Sequence, residues 1–331
     1  MRAHSSESAS IETSATIKHE MPNTDTIVNP LLLRDDNMRD PAVYADPEGG
    51  YHLFYTRVTN DNPSGEAWTC FQNWHVARVF TRDFIEFSDD HVIFGNGFAS
   101  PGDLVRWHGR LLLPFQSYPV QPNRLCYAVG SEDAKSWGEP VFFLDEARAL
   151  KWNLDGRLID PSFVVCGGTL HCFFVGSQGI VSGTRANLLG HATTRDPELL
   201  SWTIHSVDAP LMGISREAPD GVENVMVFPH GGAWTMIFSE GLQAQHLAWA
   251  SSPDLYRWKR EGFISIPRQP WMARKFGAPF VWQEDGRWFM ILMGEEQGAS
   301  PDLLRNGTYA TRLGLLHSCD GLNWDLCPER G

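Results

Sequence analysis

The chain has 331 residues, 42% hydrophobic and 20% charged, with a formal net charge of −13. It is long enough for a substantial core, too acidic for the electrostatic footprint of a nucleic-acid binder, and without any apolar run near the ~18 residues of a membrane helix. Thirty Gly, 21 Pro and 13 Trp suit many short strands and turns better than long helices.

Residues 1–26 are polar and rich in Ser and Thr, with no apolar leader segment. They are expected to form a flexible tail, and the absence of a leader makes the cytoplasm the expected compartment. From residue 27 onward the chain repeats. Five stretches share one pattern of apolar residues, a Gly-containing turn and an aromatic-rich alternation. They begin at Arg39, Ala99, Ile159, Val222 and Gly277, and each reads as a β-hairpin. A Ser/Thr-x-Asp motif with an aromatic a few residues on follows every hairpin: Thr81 and Asp83 with Phe87, Ser131 and Asp133 with Trp137, Thr194 and Asp196 with Trp202, Ser252 and Asp254 with Trp258, Ser318 and Asp320 with Trp324. An apolar run before the motif, such as 246–250, predicts a third strand. A run after it, such as 140–144, predicts a fourth. Aligning the first positions at 40, 100, 160, 223 and 278 gives steps of 60, 60, 63 and 55 residues. Five four-stranded antiparallel units of this length predict an all-β, five-bladed β-propeller spanning 27–331 as one domain.

Repetition separates structure from chemistry. The Asp of the repeated motif occurs in all five units and reads as a turn former whose carboxylate accepts local backbone N–H groups. The aromatic after it reads as a wedge between blades. The position opening each inner strand should line the central funnel, and there the residues differ: Asp40, Ser100, Asp160, Glu223 and Ala278. A Pro follows in four units and accounts for the turn, but not for the acids. Three carboxyl groups around a narrow axis repel one another and lose solvation, which pushes their pKa values apart. Acid–base catalysis needs such a set, with one carboxyl protonated and another ionised.

Arg39-Asp40-Pro41, Ile159-Asp160-Pro161 and Val222-Glu223-Asn224, with their blade positions, resemble the five-bladed propeller glycosidases, glycoside hydrolase family 43 and its relatives in families 32, 62, 68 and 117. The resemblance runs from about Asn29 to the C-terminus. It implies a glycosidase in which Asp40 is the general base, Glu223 the general acid, and Asp160 the group that orients the acid and tunes its pKa. Glu223 is followed by Asn224-Val225 where the family often has Gly-Pro, and the fifth blade lacks the funnel His that many members place beside a metal ion. Glu217 is the rival for the acid, placed on the funnel rim by its Gly/Pro-flanked surroundings.

The implied partner is an oligosaccharide or glycoside, with no nucleic acid and no membrane, on arabinofuranosyl, xylosyl or related sugars. Inversion needs the two carboxyls ~6.5–9.5 Å apart and retention ~5–5.5 Å. Candidate stacking surfaces are Trp74, Trp152 and Trp271, with Trp107 set aside because it lies at the far end of its hairpin. Arg39 and Arg274 could fork onto hydroxyls or a carboxylate, or pair with a neighbouring acid. Ser100 and Asn224 complete the substrate-facing positions. Polar insertions at 60–67, 178–187 and 294–306 would wall an exo-acting pocket. No cofactor is implied, and a calcium or sodium ion in the channel stays open as a structural element. A phosphorylase or transferase on the same fold would need a basic cluster, for which Arg39, Arg274 and Lys275 are the candidates. A non-catalytic sugar-binding propeller would not need the acids, and neither WD40 nor kelch signatures are present. The six Cys include no CxxC pair and are expected as free thiols, with Cys166 and Cys172 the pair to inspect.

Overall fold

The computed structural model describes residues 21–32, 34, 36–59, 70–181, 183–216, 218–296 and 311–330. They form a five-bladed β-propeller. Blade 1 holds β1 (Asn37–Ala45), β2 (Tyr51–Val58), β3 (Trp74–Thr81) and β4 (Phe87–Phe94). Blade 2 has its innermost strand split into β5 (Phe98–Ala99) and β6 (Val105–Trp107), both paired to β7 (Arg110–Ser117), then β8 (Leu125–Gly130) and β9 (Val141–Phe142). Blade 3 holds β10 (Ile159–Cys166), β11 (Thr169–Val181), β12 (Thr184–Thr194) and β13 (Thr203–Ile204). Blade 4 holds β14 (Val222–His230), β15 (Ala233–Glu240), β16 (His246–Ser252) and β17 (Lys259–Phe263). Blade 5 holds β18 (Lys275–Glu284), β19 (Arg287–Glu295), β20 (Thr311–Ser318) and β21 (Asp325–Leu326). No helix among the described residues is long and apolar enough to cross a membrane.

The repeated motif is structural. Asp83 Oδ1 accepts the N–H groups of Ile85 and Glu86, and Asp320 Oδ1 accepts those of Leu322 and Asn323. The aromatics fill the clefts between blades. Trp137 of blade 2 meets Phe54 of blade 1 edge to face at 5.6 Å, and Trp258 of blade 4 meets Phe173 of blade 3 at 5.8 Å. All six cysteines are free thiols. The N-terminal segment clasps the last blade. Asn29 gives its amide to Leu315 O and takes Leu315 N–H, while its backbone bonds Pro328 and Arg330. The packed chain begins before residue 27, since Pro22 and Thr24 are already buried.

The inner strands contain one device that matters for function. The ladders of β1, β10, β14 and β18 break between Arg39 and Ala42, Ile159 and Ser162, Glu223 and Met226, and Gly277 and Phe280. Each break is a bulge of two unpaired residues. The first of the two, and Ser100 in blade 2, is left-handed: φ is 47° at Asp40, 50° at Ser100, 51° at Asp160, 49° at Asn224 and 50° at Ala278. Asp and Asn adopt this conformation more readily than most side chains. The sequence alignment is thereby corrected in blade 4. The residue equivalent to Asp40 and Asp160 is Asn224, and Glu223 stands one position earlier, on the last paired residue, where blade 1 has Arg39. The slip arose because blade 4 has Val225 where the other blades have Pro, so nothing marked the bulge except the acid itself.

Candidate active site

The four bulges, with the left-handed Ser100 in blade 2, carry side chains to the axis. Asp40, Ser100, Asp160, Asn224 and Ala278 line a central channel with Asp103 and the bulge prolines. Asp40 Oδ2 accepts the hydroxyls of Thr56 at 2.8 Å and Ser100 at 3.2 Å, and Thr56 Oγ1 accepts Ser100 N–H at 2.7 Å. Asp160 is 7% exposed. Its backbone N–H donates to Gln116 Oε1, and its Oδ2 faces the N–H of Asn224 at 3.4 Å. Burial and then the neighbouring charges of Glu223 and Asp40 push its carboxyl up to about 8. Both causes favour the protonated form of Asp160.

Glu223 is reached from a different backbone position but joins the same set. Two amides clamp it. Asn187 Nδ2, from β12 of blade 3, donates to Oε2 at 3.0 Å, and Gln245 Nε2, from the start of blade 4's third strand, donates to Oε1 at 2.8 Å. Both amides are buried, and their oxygens, Asn187 Oδ1 and Gln245 Oε1, have no hydrogen-bond partner among the described residues. Gly221 makes this possible. With φ at 83°, its missing Cβ would stand 1.9 Å from Asn187 O, so only glycine lets the loop before β14 lie against β12. Asp103, which also lines the channel, takes the Ser162 hydroxyl at 2.5 Å, and burial raises its carboxyl to about 7.

The structure thus brings Asp40, Asp160 and Glu223 together with Ser100 and Asn224. The other sequence candidates divide. Arg39 holds on β1 the ladder position of Glu223 on β14. Arg274 is drawn into an ion pair with fully buried Glu295, which Lys275 also approaches at 3.5 Å. Lys275 also gives its ammonium to Leu242 O at 3.3 Å, and its pKa is lowered by burial and by Arg39. Trp271 is core, not platform: it is 3% exposed and covers Gly294 and Gly314, where any Cβ would strike its ring. Trp74, 2% exposed, presents its ring to Tyr118 at 4.6 Å. Trp152 donates to Ser206 O at 2.6 Å and lines a cavity of about 490 Å³ on the rim of blade 3, with Leu154, Leu188 and Met212. Trp107, set aside from the sequence, binds Asp196 O in blade packing.

Glu217 and the insertion at 60–67 lie outside the described residues, as does 294–306 from residue 297 onward. The insertion at 178–187 is an extension of the β11–β12 hairpin with a bulge between Ser177 and Ile180. Among the described residues no group of three or more His, Cys, Asp or Glu is arranged to hold a metal ion. Sequence reasoning missed Thr56, Gln116, Asn187 and Gln245. The signal for Asn187 was a lone amide inside the apolar run Ala186–Leu189, where a buried polar group must have a partner.

No protein-family model matches the chain, and no curated protein matches it. Solved structures do. A thermostable family-43 glycoside hydrolase superposes with a TM-score of 0.66 at 15% identity, covering 92% of this chain and 98% of that one. An α-L-arabinofuranosidase from Lactobacillus brevis gives 0.65 at 10% identity, over 93% and 99%. A family 117 glycoside hydrolase from the marine bacterium Zobellia galactanivorans gives 0.60 at 15% identity, over 93% and 90%. At these identities the likeness is one of fold: this chain has the five-bladed propeller that those hydrolases share.

Proposed function

We propose that this protein is a glycoside hydrolase that cleaves a glycosidic bond with a carboxyl pair, inverting the anomeric centre and acting on chain ends bearing arabinofuranosyl, xylosyl or related sugars. The observation that carries it is the convergence of Asp40 and Asp160 on the central channel with Glu223 close enough to act on them, the Asp160 carboxyl being raised first by burial and then by the charges of the other two. Blade packing has no use for such repulsion, and acid–base chemistry requires it. The glycoside hydrolases that share the fold support the same reading.

In this mechanism Glu223 protonates the leaving oxygen, and Asp40 takes a proton from the attacking water. Both hydroxyls on Asp40 donate to Oδ2, so Oδ1 is the oxygen left for that proton. The amide clamp suits an acid that changes state. Donating NH₂ groups hold the carboxylate, and turning either amide about its terminal bond would offer its unpartnered oxygen to the protonated form. Asp160 keeps a neutral carboxyl beside the pair, so that only one further proton circulates through the cycle.

The test is a panel of aryl glycosides with the Glu223→Gln and Asp40→Asn variants. Glu223→Gln should lose 10²-fold or more on substrates with poor leaving groups and much less on activated ones. Asp40→Asn should fall on both, and added azide should restore product as a glycosyl azide of inverted configuration. Near-wild-type rates in both variants on a substrate the parent cleaves would refute the assignment.

A further inference from the structure

Arg157 stands three residues before Asp160, on the loop that leads into β10. It is half-buried, and its buried Nε has no hydrogen-bond partner among the described residues. Among the described residues it forms no ion pair, whereas the acids near it on the same loop are taken: Asp155 pairs with Arg185 and Asp145 with Arg124. Its guanidinium carbon lies 6.0 Å from the ring centroid of Tyr118, and Tyr118 meets Trp74 at 4.6 Å. A ladder of Trp74, Tyr118 and Arg157 thus runs across blades 1, 2 and 3. Its Arg157 end is close enough to Asp160 for its charge to act on that carboxyl. On the opposite flank, Lys275 is close enough to Glu223 and Arg39 to feel both charges. A chain of net charge −13 therefore gathers cations around its acids. Asp160, three residues on, has its carboxyl raised by burial and by the other two acids, so it offsets the guanidinium charge less than an ordinary carboxylate would.

An arginine fork matches a carboxylate or phosphate through two parallel hydrogen bonds, and an aromatic ring beside it offers a face on which a pyranose can stack. We propose that Tyr118 and Arg157 form a subsite for an oxyanion-bearing ligand. The ligand is a sugar whose carboxylate Arg157 forks while its ring lies on Tyr118, or inorganic phosphate held by the same fork. The inference rests on the glycosidase reading for its place in catalysis, but the binding itself does not. It makes the substrate an acidic glycoside, or makes phosphate the nucleophile in place of water. In the second case the glycosidic C–O bond breaks, the leaving oxygen takes the proton of the acid, and a phosphate oxygen bonds the anomeric carbon to give a sugar 1-phosphate.

The experiment is calorimetric titration of the full chain with glucuronate, galacturonate, glucose, xylose and inorganic phosphate, alongside turnover of matched 4-nitrophenyl glucuronides and glucosides with and without phosphate. Uronate should bind at least ~10-fold tighter than the neutral sugar and weaken with salt. Arg157→Met should erase that preference, and Arg157→Lys, which keeps the charge without the fork, should fall between. Tyr118→Ala should weaken uronate and leave phosphate within ~3-fold. A preference for uronate in turnover marks the carboxylate source. Sugar 1-phosphate among the products marks phosphate. Equal binding of uronate and neutral sugar with no phosphate binding, or an Arg157→Met variant that binds as the parent does, overturns the subsite. If neutral glycosides are cleaved in that case, the glycosidase reading survives alone. If no glycoside is cleaved but Arg157-dependent anion binding is seen, the subsite survives and the glycosidase reading fails.

Discussion

Replacing Asp160 by Asn should stabilise the fold while removing function, and the gain should depend on pH in a definite way. The carboxyl moves from the ordinary 3.8 to about 8 in the folded chain. Below pH 3.8 both states hold the proton and the group is neutral in its effect. Between 3.8 and about 8 the folded chain binds a proton that the unfolded chain has released, so this group's contribution falls as pH rises. Above about 8 the loss is complete. At about 1.36 kcal/mol per pH unit, the interval from 3.8 to about 8 sets a ceiling of roughly 5–6 kcal/mol. Relaxation of Asp40 and Glu223 lowers it, so about 2–6 kcal/mol should appear. Asn is isosteric, tolerates the left-handed φ of 51° and keeps an oxygen for Asn224 N–H, so it adds no strain of its own. At roughly 2 °C per kcal/mol for a chain of this size, the variant should melt ~4–12 °C above the parent at pH 8. Thermal unfolding of both proteins at half-unit steps from pH 4 to 9 reads this out. A difference that is flat with pH, or that shrinks toward alkaline pH, would refute the proton assignment.

Gly221→Ala should cost at least ~2 kcal/mol, because its Cβ would stand 1.9 Å from Asn187 O at a φ of 83°, and the displaced clamp should lower turnover of poor leaving groups as well; denaturant melts with kinetics check both. His171, His191 and His205 lie across β11, β12 and the end of β13, packed on Phe173 and Tyr256, with His171 Nδ1 3.0 Å from His191 Nε2. Burial lowers all three, His171 to about 4. The unfolded chain therefore binds protons first as pH falls from 6.5, and stability drops toward pH 4. His191→Phe should make the fold less acid-labile by up to roughly 3 kcal/mol at pH 4 relative to pH 7; an unchanged pH slope in urea melts would count against the cluster.

The propeller and its blade count were legible in the sequence because each blade must solve the same packing problem. Five Ser/Thr-x-Asp turns, each closing on its own N–H groups within a few residues, and five aromatic wedges recur for local reasons, and local reasons leave a period. Asp40 and Asp160 stood out for the converse reason, being acids at a position where packing asks for none. What only the tertiary structure decided depends on contacts between blades. The bulge in blade 4 sits at Asn224, and nothing in the local sequence separates a paired Glu223 from an unpaired one once Pro is absent. The clamp on Glu223 joins residues 36 positions before it and 22 after it, so no spacing rule could pair them. Trp74, Trp152 and Trp271 look alike in the sequence, and only their neighbours made one a wall of a cavity, one a rung beside Tyr118 and one a cover for two glycines. The proton on Asp160 is the furthest from the sequence, because it follows from burial and from two charges carried in by other blades.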